Sequence, residues 1–164
     1  MKVSDATILT LPGTAPLDVG HWLERWTGRL STALPVPAPS GADPLPELIG
    51  RAPGPVVAIA YREGIERLLD HADDTPVTGA FMVAPPGGTA LEARDDPLPF
   101  PSILVASRDD PDCAFEAAEE MGARWGSLFV DAGEAGRLDA ASGRGPWPEG
   151  LMVLAKFMSR LPAG

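Results

Sequence analysis

Few side chains in this sequence are equipped for chemistry, and the densest group is Asp109, Asp110, Asp112 and Cys113. Carboxylates this close could hold a hard cation if other oxygen or imidazole ligands completed the shell. No histidine or second acidic cluster lies at ligand spacing, so the run reads as a solvated acidic loop and no metal is expected. Cys113 would be a nucleophile only beside a base that lowers its pKa. It has none nearby in sequence, and it stands where a helix is expected to begin. Only two histidines exist, His21 and His71. His21 belongs to a His-Trp pair on the first predicted helix and reads as packing. His71 falls late in a helix and reads as a surface residue. The glycines and prolines around Gly54 make a turn, not a phosphate loop, because no Gly-Lys-Ser/Thr follows. No cofactor is expected.

The elements that position these groups show in the hydrophobic pattern. Continuous apolar runs bounded by turn residues predict strands over 6–11, 56–60, 79–84, 102–107 and 127–131, with a weaker sixth over 32–36. Helical spacing predicts helices over 17–29, 62–72, 112–124 and 149–160, with Asp112 as a candidate N-cap. Strand and helix alternate along one uninterrupted domain, 1–164. That pattern predicts an α/β fold, a three-layer α/β/α sandwich on a mostly parallel five- or six-stranded sheet. Ligands of such sheets gather at the carboxyl ends of the strands, here the loops after Leu11, Ala60, Ala84, Ser107 and Asp131.

Charge narrows the partners. The chain carries 23 acidic against 13 basic residues, a formal net charge of −10, which repels nucleic-acid phosphates and anionic membranes. No nucleic-acid or membrane partner is therefore expected. One cysteine permits no intrachain disulfide, and neither a signal peptide nor a membrane-spanning run is evident, so a cytoplasmic location is expected.

Four stretches are more specific. Leu11-Pro12-Gly13 is followed by His21-Trp22 and Trp26. Leu98-Pro99-Phe100-Pro101-Ser102 runs into Val105-Ala106-Ser107-Arg108-Asp109-Asp110-Pro111-Asp112-Cys113. Ala123-Arg124-Trp125-Gly126-Ser127 precedes Gly133, and Ser142-Gly143-Arg144-Gly145-Pro146-Trp147-Pro148-Glu149-Gly150 closes the series. In this order and over nearly the whole chain, they resemble the small α/β-hydrolase family typified by retinoblastoma-binding protein nine, most closely its bacterial serine-hydrolase branch. The chain reads as shorter than such relatives over 30–52 and 86–97. The resemblance implies a minimal α/β-hydrolase with flavodoxin-like strand order.

It also implies a Ser–Asp–His triad with its serine on a strained strand-to-helix turn. The matching turn here is Ala60-Tyr61-Arg62-Glu63-Gly64, so the nucleophile's place falls to Arg62. The acid is retained as Asp110. The histidine's segment reads Gly136-Arg137-Leu138-Asp139, so the base becomes Arg137. The loop that helps shape the oxyanion pocket reads Pro16-Leu17-Asp18-Val19. A guanidinium stays protonated and only donates hydrogen bonds, so it can neither attack a carbonyl nor accept the nucleophile's proton.

Three readings follow. In the first, the chain is a catalytically inactive homologue with a binding or interaction role, Arg137 pairing with Asp110 while Arg62 points outward. In the second, it is an active esterase with a relocated nucleophile, Ser107 or Ser142. In the third, Arg62 and Arg137, with Tyr61 beside them, bind a carboxylate or phosphate ligand.

Overall fold

The computed structural model describes residues 1–88 and 90–163. Its sheet holds six parallel strands: β1 (Thr7–Leu11), β2 (Ala33–Pro35), β3 (Val56–Tyr61), β4 (Gly79–Val83), β5 (Ser102–Ala106) and β6 (Leu128–Asp131). They lie in the order β2-β1-β3-β4-β5-β6, the flavodoxin-like order that the family resemblance implied. The helices are α1 (Trp22–Arg29), α2 (Leu45–Arg51), α3 (Glu63–Leu69), α4 (Phe115–Trp125) and α5 (Pro148–Arg160).

Three layers follow from the two faces of the strands. Leu9, Leu11, Ala58, Ala60, Met82 and Leu104 join one core with Ile49, Ile65, Leu68 and Met121 of α2, α3 and α4. Their neighbours in the same strands, Ile8, Val57, Ile59, Phe81 and Val105, join the other with Trp22, Trp26, Leu154 and Phe157 of α1 and α5. Strands buried on both faces show no alternation, which is why continuous apolar runs located them. Among the described residues, no helix is long and apolar enough to cross a membrane.

Several boundaries depart from the sequence reading. The first helix begins at Trp22, not 17, because the His21 Nδ1 accepts the Leu23 N–H and caps it there. Gly20, at φ 80°, breaks the backbone just before. Asp112 caps nothing: α4 starts at Phe115 after an extended Ala114, and the Asp112 carboxylate is drawn to two arginines instead. Helix α2 was not anticipated; Pro44 and Pro46 stand at its start, where proline is well tolerated.

The loop before α2 is fastened to α3. Asp43 receives Arg67 Nε at 2.8 Å and Nη2 at 2.6 Å, caps the Leu45 N–H at 2.9 Å, and has His71 Nε2 at 3.4 Å. The Arg67 hydrogen bonds hold the Asp43 carboxyl down at about 2. A depressed carboxyl stabilises the fold above its unfolded pKa, near 4, and that contribution is lost as pH falls toward 2. Asp43→Asn is therefore expected to flatten the fall in Tm between pH 4 and 2, measured by thermal unfolding. An unchanged slope would remove Asp43 from the acid response.

Candidate active site

The strand order reverses between β1 and β3, which opens a crevice at their carboxyl ends. Arg62 stands there, alone between β3 and α3, with φ 55° and ψ −128°. A non-glycine residue in that region is strained by about 1–3 kcal/mol and persists only where its surroundings fix it. Here its N–H donates to Val83 O, and Ile65 N–H returns to Arg62 O. Gly64 lets the turn close: a Cβ there would collide with the Leu11 carbonyl. This is the sharp strand-to-helix turn to which the sequence resemblance assigned the nucleophile's place.

The side chain does not point outward as expected. The Arg62 side chain is only 10% exposed, and its guanidinium forks onto Asp110, Nη1 to Oδ2 at 2.9 Å and Nη2 to Oδ1 at 3.2 Å. Asp110 is more deeply buried, at 3%, and its Oδ1 also accepts the Asp112 N–H at 3.0 Å. Arg62 Nη2 meets Asp112 Oδ2 at 3.1 Å. Arg137 binds Asp112, not Asp110: its Nε donates to the same Oδ2 at 2.8 Å from a half-exposed position. The expected Arg137–Asp110 pair is thus replaced by a chain running Asp110, Arg62, Asp112, Arg137. The cause is depth, for Arg62 reaches down from the turn to the buried carboxylate while Arg137 stays at the rim.

Burial opposes the Arg62 charge, yet Asp110 beside it more than offsets this and the guanidinium is held more firmly protonated than usual. The Arg137 hydrogen bond pulls Asp112 below the ordinary carboxylate range. Tyr61, expected at this site, donates its hydroxyl to Arg137 O at 2.8 Å, and burial pushes the phenol up to about 12.

The crevice is a pocket of about 360 Å³ into which Tyr61, Arg62, Asp112 and Arg137 all face, together with Asp18, His21, Glu63 and Asp139. Asp18 ties the first loop to the last, accepting the N–H groups of Ala140 at 3.2 Å and Ala141 at 2.8 Å. Trp22 Nε1 does the same through Leu138 O at 2.8 Å. The His21 ring, read as packing, does pack edge-on to Tyr61 at 4.7 Å, and it also lines the pocket. Its contribution to the site was not foreseen. Asp139 lay within a quoted segment, but nothing in its spacing showed that it would turn inward.

Ser107 and Ser142 are held in loop locks. Ser107 is buried, donates to Asp109 Oδ1 at 2.8 Å and accepts the Ala135 N–H at 2.9 Å. Ser142 donates to Asp139 Oδ1 at 2.5 Å and accepts the Arg137 N–H at 3.3 Å. Their partners are carboxylates, and Asp109 is held low by the Gly136 N–H and by Ser107. The two imidazoles are engaged with Leu23 and Asp43. Cys113 is buried, with its thiol pushed up to about 11 by desolvation, far from thiolate chemistry. Among the described residues no group of three or more His, Cys, Asp or Glu side chains is placed to hold a metal ion.

The serine hydrolase family model matches residues 8–156. Among solved structures, the fold is similar to that of a YdeN-like hydrolase from Pectobacterium atrosepticum, with 27% identity, a TM-score of 0.87, and 98% of this chain and 95% of that one covered. The ydeN gene product of B. subtilis superposes with a TM-score of 0.74 at 14% identity, over 93% and 98% of the two chains. An esterase domain from a Rhodothermus marinus protein does so with 0.72 at 15% identity, over 95% and 87%. No curated protein matches the chain.

Proposed function

Because the chain belongs to the serine hydrolase family, we propose that it is a member without triad catalysis, which keeps the family's pocket as a binding site. The observation that carries this reading is the buried fork of Arg62 onto Asp110 at the strained turn. An acid that holds a guanidinium so tightly is not free to orient an imidazole, and the guanidinium offers no electron pair for acyl transfer. Arg137, engaged with Asp112, has no capacity to take a proton. Asp110 is on this reading the inherited triad acid, now serving as a structural counter-ion.

The relocated-nucleophile reading has less support, since the Ser107 and Ser142 hydroxyls are bonded to carboxylates that also fix their loops. The anion-binding reading is weakened because the Arg62 guanidinium is already taken by two carboxylates and Arg137 by one. A cytoplasmic, bacterial binding protein remains the setting we infer.

Fluorophosphonate labelling tests the proposal directly, because such probes phosphonylate only activated serines. Purified protein is expected to remain unlabelled after incubation that saturates an active esterase. Stoichiometric labelling lost on heat denaturation would overturn the non-catalytic reading.

A further inference from the structure

We propose that the pocket beside Arg62 takes a small organic ammonium compound that also carries a carbonyl or hydroxyl oxygen. This rests on the non-catalytic reading of the same site and adds the class of occupant.

The lining contains four carboxylates, Asp18, Glu63, Asp112 and Asp139, and two guanidiniums, Arg62 and Arg137. The guanidiniums are spent on Asp110 and Asp112. Asp18, Glu63 and Asp139 are held by uncharged donors only: the amides of Ala140 and Ala141, the Thr14 hydroxyl at 3.0 Å, and the Ser142 amide and hydroxyl. Among the described residues none of the three has an ion-pair partner. With the two guanidiniums matched by Asp110 and Asp112, these three carboxylates leave the pocket net negative, in a protein whose overall charge of −10 already draws cations toward it. An ammonium group supplies both the charge and up to three N–H donors.

His21 supplies an independent indication. It is 1% exposed and is one of the residues that line the pocket. Nδ1 accepts the Leu23 N–H at 3.1 Å, so in the neutral ring the proton sits on Nε2. Burial keeps the imidazole below its ordinary pKa and thus neutral. Yet among the described residues the buried Nε2 has no hydrogen-bond partner. An unpaired buried donor is unfavourable and is normally satisfied by water or ligand. What it needs is an acceptor oxygen, and the three carboxylates need a cation. A compound bearing both groups a few bonds apart answers both needs.

The test is a titration of the full chain, followed by amide and imidazole NMR shifts, with glycinamide, ethylammonium, acetate and inorganic phosphate as probes. Glycinamide is expected to saturate shifts at Asp18, His21 and Asp139, to bind more tightly than ethylammonium, and to weaken as salt is added. Glu63→Gln combined with Asp139→Asn, which keeps the acceptors for Thr14 and Ser142, is expected to weaken glycinamide by about tenfold. Acetate or phosphate saturating the site while the ammonium probes do not would overturn the proposal, as would saturation by no probe. Equal binding of glycinamide and ethylammonium would remove the role given to His21. Ester turnover, by contrast, would defeat the non-catalytic reading without touching the charge preference found here.

Discussion

Asp110→Ala is expected to destabilise the protein by about 3–5 kcal/mol, because it strands the buried Arg62 guanidinium without its principal counter-charge. The residual partner, Asp112, touches only Nη2 and is itself shared with Arg137. For a domain of this length that loss lowers Tm by roughly 2–4 °C per kcal/mol. Arg62→Gly has two opposed effects. It strands the Asp110 carboxylate, and it removes a side chain from a backbone position at φ 55° that glycine adopts without strain. The double variant removes both charges together, so its loss should fall short of the sum of the singles by about 0.5–3 kcal/mol. Denaturant unfolding of the four proteins measures this. Strict additivity would mean that the fork contributes nothing and that the two residues are held apart by other contacts.

Gly64→Ala is the second large effect, at or above the upper end of the usual overpacking range, about 3 kcal/mol. The added methyl would meet the carbonyls of Leu11 and Pro12, which belong to β1 and the loop it feeds and cannot swing aside like a side chain. The turn that presents Arg62 would have to lift away from β1, so the Arg62–Asp110 fork should loosen with it. Gly28→Ala is the internal control. It sits in α1 with open space around it, and the same methyl is expected to stabilise by about 0.4–1 kcal/mol. Opposite signs from one chemical change would locate the effect in the packing of the turn. Similar values at both positions would contradict the close approach of α3 to β1.

The sheet was legible because its strands are buried on both faces and their apolar runs are unbroken. The carboxyl ends of those strands then named the loops where a ligand would gather. The strained turn was legible because Ala60-Tyr61-Arg62-Glu63-Gly64 keeps small residues on either side of the position where the backbone is forced. Less of the site could be read. Two arginines and three aspartates near one crevice allow several pairings, and the choice among them depends on depth, which no spacing reports. Arg62 emerges beneath the pocket and takes the buried Asp110, so Arg137 is left with Asp112 at the rim. Asp112 carried a helix-cap signal, but two cations outcompete a backbone N–H for a carboxylate. His21 looked like a packing residue and is one, and its Nδ1 caps α1. That cap fixes its tautomer and leaves Nε2 unpaired, a fact that only the folded geometry supplies.

Hydrolysis of a short-chain aryl ester panel, run beside Ser107→Ala and Ser142→Ala, tests the central claim most directly. The account predicts rates for the purified protein that match the buffer blank across the panel, with both serine variants indistinguishable from it. Saturable turnover abolished by one of the two serine substitutions would contradict the account and assign the nucleophile to that serine.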